Sequence, residues 1–313
     1  MKKQAFKILI FTFLLCGCQH NEYRPRYRDF KNSWEKENLI GKIKTLKHFK
    51  ANTKDLEGQG FEKPRIKFKK EFTENGNVSY LEYYDNFGKL KLYTKNDFDK
   101  NGYKYKSITE DYTMHSKSID YAVFDTLIGK RISTHGVFND SILLDVFLDY
   151  DTMGNVIKQT SVKHGDTLSN QLEYKYDKEG RIILKTQLDN DKNVEYKNEF
   201  RYDSKGNLTE SINKSRFVGE LKSIYKYDSK NRIEKISEFK SGQIERETYF
   251  DKFYNQILVK NYHENSLQRE MSFKYKFDKK GNWIQRDASV KEYFGSKKQI
   301  SVYRETRKIE YYE

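Results

Sequence analysis

A short corner recurs along this chain at an almost fixed interval, and that interval limits what the chain can fold into more than any other feature. Its clearest copy is Tyr174-Lys175-Tyr176-Asp177-Lys178-Glu179-Gly180-Arg181-Ile182. The Asp, or the residue in its place, falls at Thr73, Asp99, Asp125, Asp151, Asp177, Asp203, Asp228, Asp251 and Asp278, with spacings of 26 five times and then 25, 23 and 27. Repetition at such a period is the signature of one supersecondary unit copied many times. Asp suits the first position of a type I turn, where its carboxylate accepts a backbone N–H, and Gly three residues on supplies the positive φ that closes a hairpin with a bulge. Asn231 stands for the Gly in one unit, and Asn tolerates the same backbone region. Tyr254-Asn255 stands there in the unit of Asp251, and the unit of Asp125 is one residue longer.

A second turn signal lies near the middle of each period, among them Asp85-Asn86-Phe87-Gly88, His164-Gly165-Asp166, Asp189-Asn190-Asp191, Ser241-Gly242 and Gly295-Ser296. Each period therefore holds two strands. The reading is all-β: a long twisted, curling antiparallel meander sheet of about eighteen to twenty strands built from hairpin repeats. Tyr174 with Tyr176, Phe200 with Tyr202, Tyr225 with Tyr227 and Tyr275 with Phe277 share one face, while Lys175, Arg201, Lys226 and Lys276 point to the other. The abundance of Tyr (25) and Phe (21), the two Pro residues and an apolar fraction of only 36% suit strands with one half-buried aromatic face better than a thick core. That face needs cover, which a sheet this long obtains by coiling, by folding over on itself or by packing on a partner.

The pattern Tyr-x-Tyr-Asp-x-x-Gly-Asn/Arg-aliphatic, from residue 66 to about residue 300, resembles the YD repeat of RHS-type proteins. The Gly41-Lys42-Ile43-Lys44 opening and Gly281-Asn282-Trp283 are similar to small exported YD-repeat lipoproteins. The resemblance implies a curling antiparallel sheet, which in the large toxins and teneurins spirals into a hollow shell, and an association with carbohydrate binding and cell-surface contact. The chain differs from the large members in having no self-cleaving core segment and no C-terminal toxin.

The first residues read as an export signal. Lys2, Lys3 and Lys7 precede the apolar run Ile8 to Leu15, which is too short to span a bilayer, and Leu15-Cys16-Gly17-Cys18 follows. This segment resembles a bacterial lipoprotein precursor, which implies cleavage after Gly17 and lipid on Cys18. Gln19 is not the Asp that commonly retains such proteins at the inner membrane, so an outer-membrane lipoprotein of the cell envelope is expected. Three parts follow: residues 1–17 as signal peptide, 18–38 as lipidated tether, and 39–313 as the repeat domain. Removing three lysines and no acids takes the net charge from +14 to +11. That charge favours anionic surfaces such as lipopolysaccharide or acidic glycans. No nucleic-acid motif appears, and nucleic acid is not an expected partner.

Candidate chemistry is sparse. Turn capping accounts for the repeated Asp residues without a ligand. Asp189-Asn190-Asp191-Lys192-Asn193 starts like an EF-hand loop, but Val194 sits where Gly is needed and Phe200 where the bidentate Glu belongs. The six histidines have no ligand spacing, and no phosphate loop or nucleophile elbow is present. No cofactor, metal or catalytic residue is therefore assigned, and the chain is read as not an enzyme. Exposed aromatics can stack on sugar rings, which makes Trp283, Tyr174, Tyr176, Tyr225 and Tyr227 candidate ligand-stacking residues, with packing within the sheet as the competing role. Asp-Ser/Thr-aliphatic triplets mark Thr126, Ser141, Thr152 and Thr167 as candidate O-glycosylation sites.

These readings combine into a non-catalytic, lipid-anchored envelope interaction module that binds a glycan or an envelope protein. The alternative is a structural or accessory envelope protein or a degenerate RHS-type element with a protein partner, and a minor alternative is an enzyme whose carboxylates are assembled from distant units. An outer-membrane β-barrel is disfavoured, because its outward face needs an apolar band where this chain mixes tyrosine with Lys and Glu.

Overall fold

The computed structural model describes residues 32–53, 60–125, 130–139, 141–152, 154–163, 166–216, 218–295 and 297–313. The signal peptide, Cys18 and most of the tether lie outside the described residues. The strands are β1 (Ile43–Asn52), β2 (Arg65–Phe72), β3 (Val78–Tyr84), β4 (Leu90–Phe98), β5 (Lys104–Asp111), β6 (Ser116–Asp125), β7 (Lys130–Phe138), β8 (Ser141–Tyr150), β9 (Val156–Lys163), β10 (Asp166–Tyr176), β11 (Ile182–Leu188), β12 (Val194–Tyr202), β13 (Leu208–Ser215), β14 (Gly219–Tyr227), β15 (Ile233–Lys240), β16 (Gln243–Phe250), β17 (Gln256–His263), β18 (Ser266–Phe277), β19 (Trp283–Phe294) and β20 (Lys297–Tyr311).

The corners form as their residues dictate. In the unit of Asp99, the Gly102 N–H donates to the Asp99 carbonyl at 3.0 Å, the Asp99 N–H donates to the Tyr103 carbonyl at 3.0 Å, and the Asp99 carboxylate accepts from the N–H groups of Asn101 and Tyr103 at 2.9 Å. This is a type I turn closed by a bulge, and the ladder registers the extra residue as a shift between Asp97 and Phe98. The same two backbone bonds recur at Asp151, Asp177, Asp203, Asp228, Asp251 and Asp278, and each of these carboxylates accepts from the N–H four residues on. Asn231 and Tyr254 take the glycine place at φ 59° and 64°. Asp189 caps its hairpin tip in the same way, accepting from the N–H groups of Asp191 and Asn193.

Every strand pairs antiparallel with its sequence neighbour, and β1 also pairs with β20, from Ile43 opposite Tyr311 to Asn52 opposite Tyr303. The sheet is therefore a closed up-and-down barrel of twenty strands, and the open, curling meander expected from the repeat is corrected. The strand content and consecutive order hold, but the accumulated twist brings the first and last strands together, and their pairing leaves no free edge. Twenty strands spaced about 4.8 Å apart and tilted by ~40° close on a circle roughly 40 Å across, wider than one layer of side chains from each wall can fill.

The cross-strand register carries one face around the ring. Leu46, His48, Phe72, Leu148, Tyr225, Val259, Phe273, Ala288 and Glu305 all lie on it and all are buried. The other face carries cross-strand ion pairs, among them Lys117–Glu110 at 3.6 Å, Arg201–Glu210 at 3.0 Å, Lys291–Glu270 at 2.7 Å and Arg304–Asp287 at 2.6 Å. Exposed pairs of this kind add little stability each, but they keep a wall comfortable in water.

Residues 32–40 cross one mouth of the barrel, beside the Asp corners. The short helix α1 (Ser33–Lys36) is capped by the Asn32 side chain, which accepts from the Glu35 N–H at 3.2 Å. Four residues cannot hold a helix alone, so its stability is tertiary. The Trp34 indole donates to the Ile43 carbonyl at 3.0 Å, and the Ser33 N–H donates to the Gly76 carbonyl at 3.0 Å. Trp34 and Leu39 pack with Ile43, Leu46 and Phe72, which marks the buried face as the interior one. Further along, Ile40 and the Asn282 side chain exchange two hydrogen bonds of 2.7 Å. Residues 32–38, read from sequence as the end of the tether, thus belong to the folded unit.

Candidate functional site

The tyrosines of the repeat act as latches from one unit to the unit before it. Tyr174 donates its hydroxyl to the Val156 carbonyl at 2.9 Å, Tyr202 to Ile182 at 3.0 Å, Tyr227 to Leu208 at 2.8 Å and Tyr275 to Gln256 at 2.7 Å. In each case the acceptor stands five residues after the Asp of the preceding corner. Tyr176 donates instead to the Asp151 carboxylate at 2.7 Å and accepts from the Asn155 amide at 2.6 Å. The latches give the half-buried hydroxyls partners and fix the rings against the return strand.

Of the five candidate stacking residues, two are brought together at a concave surface. Tyr174 and Tyr176 stack with centroids 6.3 Å apart and planes inclined by 26°. They line a depression of about 570 Å³ with Asp149, Asp151, Lys158 and Glu173, contributed by β8, β9, β10 and the corner between β8 and β9. The register sets Asp149, Lys158 and Glu173 on the outer face of the wall and the two rings on the inner one, so Asp151, in the corner, is the carboxylate that meets the rings. A ring beside a carboxylate suits a sugar, whose C–H face packs on the ring while a hydroxyl donates to the carboxylate. Tyr225 and Tyr227 lie apart from it. Tyr225 is buried and shares a hydrogen bond of 3.2 Å with Ser211, and Tyr225 and Tyr227 pack in the cluster of Leu208 and Ile233.

Trp283 is only 8% exposed. Its ring lies 3.6 Å from the Arg307 guanidinium and meets His48 edge-on at 5.6 Å. The interior wall at the β1–β20 seam carries a compact ionic cluster here. The Arg286 Nε donates to the Glu305 carboxylate at 2.5 Å, and His48 Nε2 lies 3.6 Å from the other Glu305 oxygen. Burial pulls the His48 imidazole below its ordinary range against the pull of Glu305. Burial pushes the Glu305 carboxyl up, but His48 and Arg286 outweigh it and hold Glu305 below the usual carboxylate range. Burial also brings Arg307 down to about 10. Among the described residues, Glu305 is the one carboxylate of the cluster against two guanidinium groups, so the cluster keeps an excess of positive charge, and Arg307, whose Nε and Nη1 have no hydrogen-bond partner among them, rests against the Trp283 ring. The cluster reads as the ionic seam of the barrel.

Sequence reasoning missed Asp151 as a partner of the Tyr pair, because it was read only as a turn cap and the Tyr176 hydroxyl reaches it from the next unit. It also missed Glu305 and Arg307. Their signal was present as period-two alternation through Tyr303, Glu305, Arg307, Ile309 and Tyr311, beyond the stretch where the repeat is legible.

Among the candidate modification sites, Ser141, Thr152 and Thr167 are exposed, and Thr126 lies outside the described residues. Cys18 likewise lies outside them. Among the described residues, no group of three His, Cys, Asp or Glu is placed to hold a metal ion, and no helix is long and apolar enough to cross a membrane.

The chain matches no family model and no curated protein. Among solved structures it is similar to a porin-like protein from Bacteroides uniformis, at 13% identity and a TM-score of 0.37, covering 86% of this chain and 98% of the other. It is also similar to the crystal structures titled TcdB2-TccC3-TEV and TcdB2-TccC3-Cdc42, both at 12% identity, with TM-scores of 0.25 and 0.26. Those likenesses cover 80% and 82% of this chain and 18% of each matched chain. All three scores are too low to assign a common fold.

Proposed function

We propose that this protein is a non-catalytic binding module of the cell envelope, tethered by lipid at Cys18 to the outer membrane, whose barrel stands in water and holds a glycan at the Tyr174–Tyr176 depression. The observation that carries the reading is the meeting of two stacked tyrosines with the Asp151 carboxylate, which accepts from the Tyr176 hydroxyl at 2.7 Å at the edge of the depression. The ion-paired outer wall supports an aqueous setting for the barrel, since a bilayer-embedded wall needs an apolar band. The YD-repeat resemblance supports the same ligand class, and the resemblance of Leu15-Cys16-Gly17-Cys18 to a lipoprotein precursor supports the address.

The purified protein is expected to bind an oligosaccharide from a glycan array saturably. Tyr174→Leu with Tyr176→Leu is expected to weaken that binding by about tenfold or more, the scale of one lost stacking contact. Circular dichroism would confirm that the double variant keeps its sheet. Unchanged affinity in the folded double variant, or an array with no saturable ligand, counts against the reading.

A further inference from the structure

Three side chains stand out by their exposure. Phe87 is 84% exposed, Met114 77% and Phe294 60%, more than any other large apolar residue among those described. Phe87 sits in the turn between β3 and β4, Met114 in the turn between β5 and β6, and Phe294 ends β19 before Gly295. All three belong to the rim opposite the Asp corners and the mouth crossed by residues 32–40. Because the ring closes between β1 and β20, the tip of β19 and β20 neighbours the β1–β2 connection, which neighbours the β3–β4 tip and then the β5–β6 tip. At two strand spacings per hairpin the three apolar tips occupy one arc roughly 30 Å long.

The turns hold these residues outward. The Asp85 carboxylate accepts from the N–H groups of Phe87 and Lys89 at 2.8 and 2.9 Å, and the Asp111 carboxylate accepts from those of Thr113 and Met114 at 2.8 and 3.1 Å. Lys63, Lys89, Lys91, Lys297 and Lys298 are exposed around the tips. Among the described residues, acids of the arc are already engaged: Asp85 and Asp111 cap their turns, Glu62 pairs with Arg65 at 3.8 Å, and Glu110 pairs with Lys117 at 3.6 Å. The arc therefore presents separate apolar points in a cationic field.

We propose that this arc docks the barrel onto an anionic lipid surface, with Phe87, Met114 and Phe294 entering the boundary between headgroups and acyl chains while the surrounding lysines meet lipid phosphates. Three protruding points spread along a rim suit a fluid, deformable surface, and the lysines supply the charge complementarity. The proposal uses no residue of the Tyr174–Tyr176 depression, so it stands or falls apart from the glycan reading.

The test uses the chain from residue 18 onward carrying Cys18→Ser, which lacks both the apolar leader and the proposed acyl anchor, floated with vesicles of phosphatidylcholine alone or with about one third phosphatidylglycerol. The chain is expected to float with the anionic vesicles, to lose binding as salt is raised, and to bind about tenfold more weakly or worse when Phe87→Ser, Met114→Ser and Phe294→Ser are added in the same background. Flotation of the triple variant equal to that of its parent overturns the proposal, as does equal binding to neutral vesicles. A second measurement guards against misfolding of that variant. In Phe87→Trp, emission should shift to the blue on anionic vesicles and be quenched by brominated acyl chains, and an unshifted, unquenched signal also overturns the proposal.

Discussion

At the scale of single residues, the repeat survives large changes in sequence because each position performs one narrow task. The corner needs an oxygen that accepts N–H bonds, and Thr73 supplies one through its hydroxyl, accepting from the Asn77 N–H at 3.1 Å. It needs a residue tolerating positive φ, and Asn231 and even Tyr254 serve. At Asp228 the Arg232 side chain and the backbone N–H groups bring the carboxyl down to about 2, so this acceptor stays ionised across any physiological pH. The tyrosine latch is less replaceable, since its hydroxyl reaches a carbonyl of the preceding unit. Tyr202→Phe keeps the ring, which lies 4.8 Å from the Arg181 guanidinium, but strips the bond to the Ile182 carbonyl. A loss of about 1 kcal/mol in urea unfolding is expected, with Tyr105→Phe, whose side chain is 45% exposed, near zero. Equal losses in the two variants would remove the latch from the account.

At the scale of elements, the segment that crosses the mouth shows how a corner can be used twice. Gly76 and Gly88 share a φ of 82° and the same place in their turns, yet their surroundings differ. A Cβ at Gly88 would meet nothing within 4 Å, whereas one at Gly76 would lie 2.6 Å from the Trp34 ring. Gly88→Ala is expected to cost about 1 kcal/mol for its backbone conformation alone. Gly76→Ala carries the same strain plus an overpacking penalty of about 1 to 3 kcal/mol, and it should release α1. Limited proteolysis checks this: cleavage between residues 32 and 42 should quicken in Gly76→Ala and stay unchanged in Gly88→Ala. The sequence gives little warning of this element. Four helical residues in a basic, polar stretch have no periodicity to read, and their stability comes from Ile43, Phe72 and Gly76, which other elements supply.

For the whole molecule, the decisive contact joins two ends of the chain. Lys47 and Lys308 face one another across the β1–β20 seam on the outer wall. Directly opposed antiparallel residues have Cα atoms about 4.5 to 5.5 Å apart, within disulfide reach. The chain's two cysteines, Cys16 and Cys18, lie at its start. Lys47→Cys with Lys308→Cys should therefore form an intramolecular disulfide on mild oxidation, seen as faster migration on a non-reducing gel and a raised unfolding midpoint. An open sheet would leave both thiols free to react with maleimide.

What the amino-acid sequence determined here is everything that repeats. The Asp-and-Gly corners, the two strands per period, the segregation of aromatics from lysines and the consecutive strand order all follow from interactions spanning at most one or two units. Closure was decided only in three dimensions, because whether the twist of twenty strands returns β1 to β20 depends on a sum over the whole ring that no local period encodes. From closure come the other features hidden in the sequence: an interior face, an ionic seam where His48 meets Glu305, and one rim that gathers Phe87, Met114 and Phe294 onto a single arc. Each requires residues from distant units to become neighbours, and only pairing of the first strand with the last fixes where those units stand.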